Sequence, residues 1–339
     1  MYLIIRYFLF IFNPETAHHI AMKSLKLAYF FGLLNFLPRP VFGKPKIVFG
    51  LEFENSVGLA AGFDKNAEYI DCLSKLGFGF IEVGTLTPRP QPGNPKPRLF
   101  RLTKENGIIN RFGFNNIGID KAILNIKNSK FKGILGINIG KNYDTPIDEA
   151  INDYLICFRK AYNYADYIVI NISSPNTKNL RKLQGENFFE DLISMIKLEQ
   201  NIQRKKYNKY VPFLIKISPD SNIKELDNIS RLLLKYKIDG VIATNTTLSR
   251  TGIYKNSHKN EAGGLSGKPL RSKALKTQQH LFKSLKGRIP IVGVGGIMSG
   301  NDGIERIKEG AELIQIYSGL IFNGYRLIYE LCESTKQSE

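Results

Sequence analysis

Short apolar runs, each closed by a polar residue or a glycine, recur along the chain at intervals long enough to hold a helix. They cover residues 57–62, 80–85, 134–138, 167–171, 213–216, 240–244, 290–294 and 313–317. Most are rich in Val, Ile and Leu without strict polar alternation, the pattern of strands buried on both faces. Eight such strands alternating with crossovers predict an α/β fold, a (β/α)₈ TIM barrel.

Two segments depart from the repeat. After the second strand, residues 88–116 open as a Pro-rich loop, and two short apolar runs, 98–102 and 107–110, then flank Lys104-Glu105-Asn106. This predicts an inserted β-hairpin over the barrel mouth, since long loops in compact domains are usually functional. Before the first strand, residues 1–12 are apolar but contain Arg6. They are too short to span a bilayer, and without a small-residue cleavage site they are not expected to be a signal peptide.

Asn13-Pro14-Glu15 reads as a helix start, and Ala17, Ile20, Ala21, Leu25 and Ala28 follow at helical spacing. A second apolar patch, residues 29–37, ends at Pro38-Arg39-Pro40, which cannot continue a helix. The expectation is an N-terminal helical hairpin over residues 1–40, ahead of a barrel over residues 41–339. Two roles stay open for it. It is either a clamp on the main body or an amphipathic platform on an anionic membrane surface, with Lys23, Lys26, Arg39, Lys44 and Lys46 toward acidic headgroups.

At 339 residues and 43% hydrophobic content the chain can bury a full core. Cys72, Cys157 and Cys332 are far apart, which argues against a disulfide framework and fits a reducing cytoplasm, and no His or Cys spacing suits a metal. The net charge of +18 would attract nucleic acid or an anionic membrane without identifying either. Because the lysines run from end to end in a chain also rich in Asn and Ile, a compositional bias accounts for it, and no nucleic-acid partner is expected.

The strand ends carry the chemistry. Asp64-Lys65, Thr85, Asn138, Asn171 with Ser174, Lys216, Thr244-Asn245, Gly295-Gly296 and Tyr317-Ser318 all fall at C-terminal ends. In a barrel these converge on one face, where such enzymes build their sites. Pro175 ends the fourth strand and leaves Ser174, Asn176 and Thr177 on a loop. Glycines at 293, 295 and 296, with 263, 264 and 267, suit a phosphate, because their backbone N–H groups can approach its oxygens. Lys65 and Lys216 would be costly there without an anion. The amides Asn110, Asn138, Asn171, Asn176 and Asn245 suit a planar heterocycle bearing a carboxylate. No carboxylate pair, Cys–His couple or Ser–His–Asp set is apparent, which disfavours hydrolysis.

Four stretches carry a family resemblance: Ala60-Ala61-Gly62-Phe63-Asp64-Lys65-Asn66, Asn110-Arg111-Phe112-Gly113-Phe114-Asn115-Asn116, Asn171-Ile172-Ser173-Ser174-Pro175-Asn176-Thr177 and Gly293-Val294-Gly295-Gly296-Ile297. They resemble the signatures of the dihydroorotate dehydrogenases. The N-terminal extension and the serine at position 174, where the soluble class has cysteine, resemble the membrane-associated, quinone-dependent class 2.

The resemblance implies FMN held by Ala61, Gly62, Phe63, Asp64, Lys65, Thr85, Asn138, Asn171, Lys216, Thr244, Gly267, Gly296, Tyr317 and Ser318. It implies dihydroorotate held by Lys65, Asn110, Arg111, Phe112, Gly113, Phe114, Asn171, Asn176, Asn245 and Thr246. It further implies that Ser174 takes the C5 proton while a hydride leaves C6 for flavin N5, with Thr177 and Phe114 along a proton relay and Lys216 stabilising charge on the reduced flavin. A membrane quinone would reoxidise the flavin near His18, Arg101 and Tyr317. By the same resemblance, orotate would serve pyrimidine (UMP) biosynthesis, and the protein would be peripheral on the cytoplasmic face of the cell membrane. Since no candidate holding group precedes Ala61, removing residues 1–40 is expected to spare reduction of the flavin.

Two other readings compete. A tRNA dihydrouridine synthase shares the FMN barrel but uses a cysteine acid, and no cysteine lies on a strand-end loop here. A non-catalytic basic barrel binding RNA or membrane would not need the full set of polar strand ends.

Overall fold

The computed structural model describes residues 2–38, 40, 45–177, 180–181 and 186–336. The expected strands form a closed parallel barrel of β1 (Val57–Leu59), β2 (Phe80–Leu86), β3 (Ile134–Ile139), β4 (Tyr167–Asn171), β5 (Phe213–Lys216), β6 (Gly240–Ala243), β7 (Ile291–Val294) and β8 (Leu313–Ile316). Each pairs with its neighbours in chain order, and β8 closes on β1 through Ile314–Val57 and Ile316–Leu59. Helices between the strands cover the outside, and the main apolar core fills the space between strands and helices.

Alternation along each strand fills the barrel. Phe80, Tyr167, Val169, Leu214, Ile242, Val292 and Leu313 form one inner cluster. Phe53, from a small hairpin of Lys46–Val48 against Leu51–Phe53, joins it, with its ring 5.2 Å from Phe80. The large rings need glycine opposite. A Cβ on Gly58 would lie 2.3 Å from Phe80, and one on Gly136 would lie 2.1 Å from Tyr167 Cζ. Gly136→Ala is therefore expected to cost about 1–3 kcal/mol by overpacking. A urea midpoint lowered at constant slope would show it, and an unchanged midpoint would show that the ring yields freely.

Leu99–Leu102 and Gly107–Asn110 form the expected hairpin, but it gains a third strand. Gly264–Gly267 pairs antiparallel to Gly107–Asn110. The glycine-rich run is therefore sheet, with Gly267 also on the cavity wall. A Cβ on Gly264 would fall 1.9 Å from Thr246 Oγ1, so only glycine lets this strand lie so close to the barrel.

The N-terminal hairpin has different arms from those expected. They are α1 (Tyr2–Ile11) and α2 (Pro14–Phe30), while residues 29–37 hold only the end of α2 and a 3₁₀ turn, Leu33–Phe36. Gly32, at φ 71°, marks the break between the two. Residues 1–12 are apolar on nearly every side, so they lack the one-sided period that marks a surface helix. Asn13 caps α2 by accepting from Thr16 N–H at 2.9 Å. Ala17 and Met22 are buried, whereas Leu3, Ile4, Tyr7, Phe8, Ile11, Phe30 and Phe36 are exposed. Among the described residues no helix is long and apolar enough to cross a membrane. Arg39 and Lys44 lie outside the described residues, and Lys46 pairs with Glu312 at 2.5 Å.

Candidate functional site

Two residues beyond inward apolar side chains, the same face of the strand turns polar. Phe80 leads to Glu82, Val169 to Asn171, Leu214 to Lys216, Ile242 to Thr244 and Leu313 to Gln315. The barrel therefore passes from a dry core to a hydrogen-bonded floor. Asn171 donates to Thr85 Oγ1 at 3.0 Å and Asn138 Oδ1 at 3.3 Å, and accepts from Asn245 Nδ2 at 3.1 Å. Thr85 donates to Asn138 Oδ1 at 2.6 Å, and Asn138 donates onward to Glu82 at 2.8 Å.

Above this floor opens a cleft. One part is rich in glycine and hydroxyls. Gly295 and Gly296 line it at positive φ, and a Cβ on Gly296 would meet Arg271 Cα at 2.4 Å, so the turn demands glycine. The Ser266 and Ser318 hydroxyls, also on the wall, stand 2.9 Å apart. Ala60, Leu270, Val294 and Ile316 supply apolar wall. Asn110, Asn176, Asn245 and Thr246 supply polar wall, with Asn176 Nδ2 donating to Asn110 Oδ1 at 3.1 Å. Lys65 Nζ sits 4.1 Å over the Phe112 ring and donates to the Gly62 carbonyl at 2.8 Å. Burial pushes the Lys65 ammonium down to about 8.

Ser174 is buried on the cleft wall, where its Oγ accepts from Asn176 N–H at 3.3 Å. The loop that carries it is tied down on both sides. Ser173 Oγ donates to the Lys216 carbonyl at 2.6 Å, while Arg181 donates to the Ser173 carbonyl at 3.2 Å and the Thr246 carbonyl at 3.1 Å. Arg181 also pairs with Asp220 at 2.8 Å. Burial pushes the Asp220 carboxyl up, but Lys273, Thr247, Leu248 and Arg181 outweigh it and bring it down to about 2.

Most expected residues meet in this cleft. From the FMN set it takes Ala61, Gly62, Lys65, Thr85, Asn171, Lys216, Thr244, Gly267, Gly296, Tyr317 and Ser318. From the substrate set it adds Asn110, Phe112, Gly113, Phe114, Asn176, Asn245 and Thr246. Four do not line it. Asn138 lies beneath, bonded to Thr85 and Glu82. Asp64 accepts from Glu68 and Tyr69 N–H at 2.9 and 2.8 Å, and burial raises its carboxyl to about 6. Arg111 pairs with Glu261 at 2.6 Å, its guanidinium 4.6 Å from the Phe100 ring centre. Phe63 stands between His18 and Tyr317, at 5.3 and 5.4 Å. Burial pushes the His18 imidazole down to about 3, so it is neutral at physiological pH. Arg101 covers the Phe10 ring of α1 at 3.9 Å.

Sequence reasoning passed over Glu82, Gln315, Arg181 and Ser266. The first two could have been found by counting in twos from Phe80 and Leu313. Nothing local marks Arg181.

The donor set fits FMN. Glycines and hydroxyls suit the phosphate, the apolar wall suits the ring body, and amides and lysines suit polar ring edges. Gln315 Oε1 is buried at the cleft without a hydrogen-bond partner, an acceptor left for a ligand N–H.

A closed (β/α)₈ barrel with amides, lysines and glycine turns converging on the C-terminal strand ends is a barrel enzyme with its site at the mouth. Residues 45–338 match the family model for dihydroorotate dehydrogenase. The chain is 53% identical over 333 residues to a dihydroorotate dehydrogenase (quinone) of Nitrosospira multiformis, covering 98% of this chain and 95% of that one. Identity is 56% over 330 residues to the protein of that name from Buchnera aphidicola, covering 97% and 98%. A ligand-free DHODH from Eimeria tenella superposes with a TM-score of 0.87 at 36% identity, covering 96% of each chain. The chain belongs to the dihydroorotate dehydrogenase family, in its quinone-dependent class 2, and is an oxidoreductase.

Proposed function

We propose that this protein oxidises (S)-dihydroorotate to orotate with FMN as hydride acceptor and a membrane quinone as final acceptor, in pyrimidine (UMP) biosynthesis. The observation that carries the reading is Ser174, buried in a cleft whose wall also bears Asn110, Asn171, Asn176, Asn245 and Lys65. When bound, FMN supplies the two-electron acceptor that no side chain provides. Ala61, Gly62, Thr85, Thr244, Gly267, Gly296, Tyr317 and Ser318 hold it, and Lys216 brings positive charge to it.

Asn110, Asn176, Asn245 and Thr246 orient the heterocycle, and Lys65 meets its carboxylate. Ser174 removes the C5 proton. A serine hydroxyl is a poor base, so the proton must pass on. Thr177 Oγ1, buried without a hydrogen-bond partner on the same loop, is free to accept the Ser174 proton while handing its own on toward bulk water. Residues 41–339 form the catalytic part, and residues 1–40 form the quinone entrance, peripheral to the cytoplasmic face of the cell membrane.

The purified protein is expected to be yellow and to bleach anaerobically on adding dihydroorotate. A colourless protein, or one that stays yellow with dihydroorotate, would overturn the reading. Lys65 sets a pH dependence of its own. Because burial brings its ammonium down to about 8, affinity for the orotate anion is expected to fall as pH rises through that value, by up to tenfold per unit above it. Fluorescence titration of orotate from pH 6 to 10 checks this, and a flat profile would remove Lys65 as the carboxylate's partner.

A further inference from the structure

Glu82 has no exposed surface at all and does not line the cleft. Its oxygens nevertheless hold three groups of the floor. Oε1 accepts from Asn138 Nδ2 at 2.8 Å and Lys216 Nζ at 3.4 Å, and Oε2 accepts from Gln315 Nε2 at 2.6 Å. A fourth donor, the Tyr167 hydroxyl, reaches Oε2 at 3.4 Å from the core side. Burial next to Glu82 pushes the Tyr167 phenol well up, so it remains a neutral donor.

A carboxylate is expensive in an apolar barrel, and an amide would serve as well for packing. What an amide cannot do is accept from four donors or offset the charge of a lysine. Lys216 and Gln315 both reach the cleft, so the carboxylate fixes where these groups point and how much of the lysine's charge is felt there.

We infer that Glu82 is a positioning residue that sets the electrostatic potential in the cleft that would hold the flavin, by counterbalancing Lys216. The inference rests on the FMN reading above. Negative charge near the ring disfavours reduction, so the carboxylate lowers the flavin potential from the value that Lys216 alone would give.

The test is a redox titration of the intact flavoprotein. Glu82→Gln is expected to raise the potential, shifting the reduced-to-oxidised ratio at fixed potential by at least about tenfold, ~30 mV for a two-electron couple. Glu82→Asp keeps the charge and is expected to stay within about threefold of wild type, a rescue that a purely steric role would not produce. An unchanged or lower potential in Glu82→Gln overturns the inference, as does an Asp variant shifted as far as the Gln variant. Should Glu82→Gln be recovered without flavin, the pair decides. Lys216→Met alone leaves an unbalanced carboxylate and is expected to titrate at least about tenfold lower than Glu82→Gln/Lys216→Met, and equal potentials would overturn the inference. Failure of the underlying reading looks different, because the wild-type protein would then carry no flavin to titrate.

Discussion

Ser174→Ala is expected to keep FMN and bind orotate while its flavin bleaches about 10²–10⁴-fold more slowly with dihydroorotate, the usual worth of a positioned base. The loop should survive the change. Ser174 Oγ makes its hydrogen bond to Asn176 N–H, whereas the ties to Lys216, Arg181 and Thr246 run through Ser173 and Arg181. Losing one acceptor for one N–H costs about 1 kcal/mol. A large rate loss with orotate affinity unchanged therefore isolates the proton transfer. Ser174→Cys is expected to recover part of the rate as pH rises toward the thiol range, since the thiolate is the active form. Anaerobic stopped-flow mixing reads both, and an unaltered bleaching rate in the alanine variant would remove Ser174 as the base.

The barrel was legible because each parallel strand leaves an apolar run, and its last residues face the mouth whatever the connections do. Asn171, Lys216 and Thr244 could be named for that reason. Glu82 and Gln315 sit on the same inward faces but inside strands, where the apolar run hides them until the alternation is counted. Arg181 acts through a loop that meets Asp220 and Thr246, pairings made only by tertiary structure. The third strand of the mouth sheet was hidden differently. Gly264 and Gly267 have the composition of a phosphate turn, and only the 1.9 Å approach of a Gly264 Cβ to Thr246 reveals a strand that had to be narrow. The N-terminal arms were mispaired because an all-round apolar helix such as α1 carries no period to read.

Replacing Ile4, Phe8, Phe30 and Phe36 together by serine is expected to abolish vesicle binding and turnover with a long-tailed quinone, yet change dihydroorotate-driven bleaching less than about twofold. All four are well exposed on the helical hairpin, Phe30 by 80% and Phe36 by 86%, so the folded protein loses little by their removal. Full burial of such a side chain is worth about 1.5–3 kcal/mol. A third of that for each sums to roughly 2–4 kcal/mol, about 30- to 1000-fold in partitioning.

Deleting residues 1–40 would not make this distinction, and here the structure changes the expectation. Glu15 pairs with Arg98 at 2.8 Å, and Arg98 in turn holds the Pro92 and Asn94 carbonyls at 2.6 and 3.0 Å. Asn94 donates onward to the Arg111 and Asn176 carbonyls at 2.8 and 3.4 Å, where Asn176 joins the cleft wall. Tyr2 and Arg6 also bond to the Ile321 and Phe322 carbonyls at 2.6 Å each. The hairpin is thus a clamp on its inner face, so its deletion is expected to damage both half-reactions. The serine variant touches only the outer face. Co-sedimentation with anionic vesicles and turnover with a long-tailed quinone decide the matter: full retention of both by that variant would leave the clamp as the hairpin's whole role.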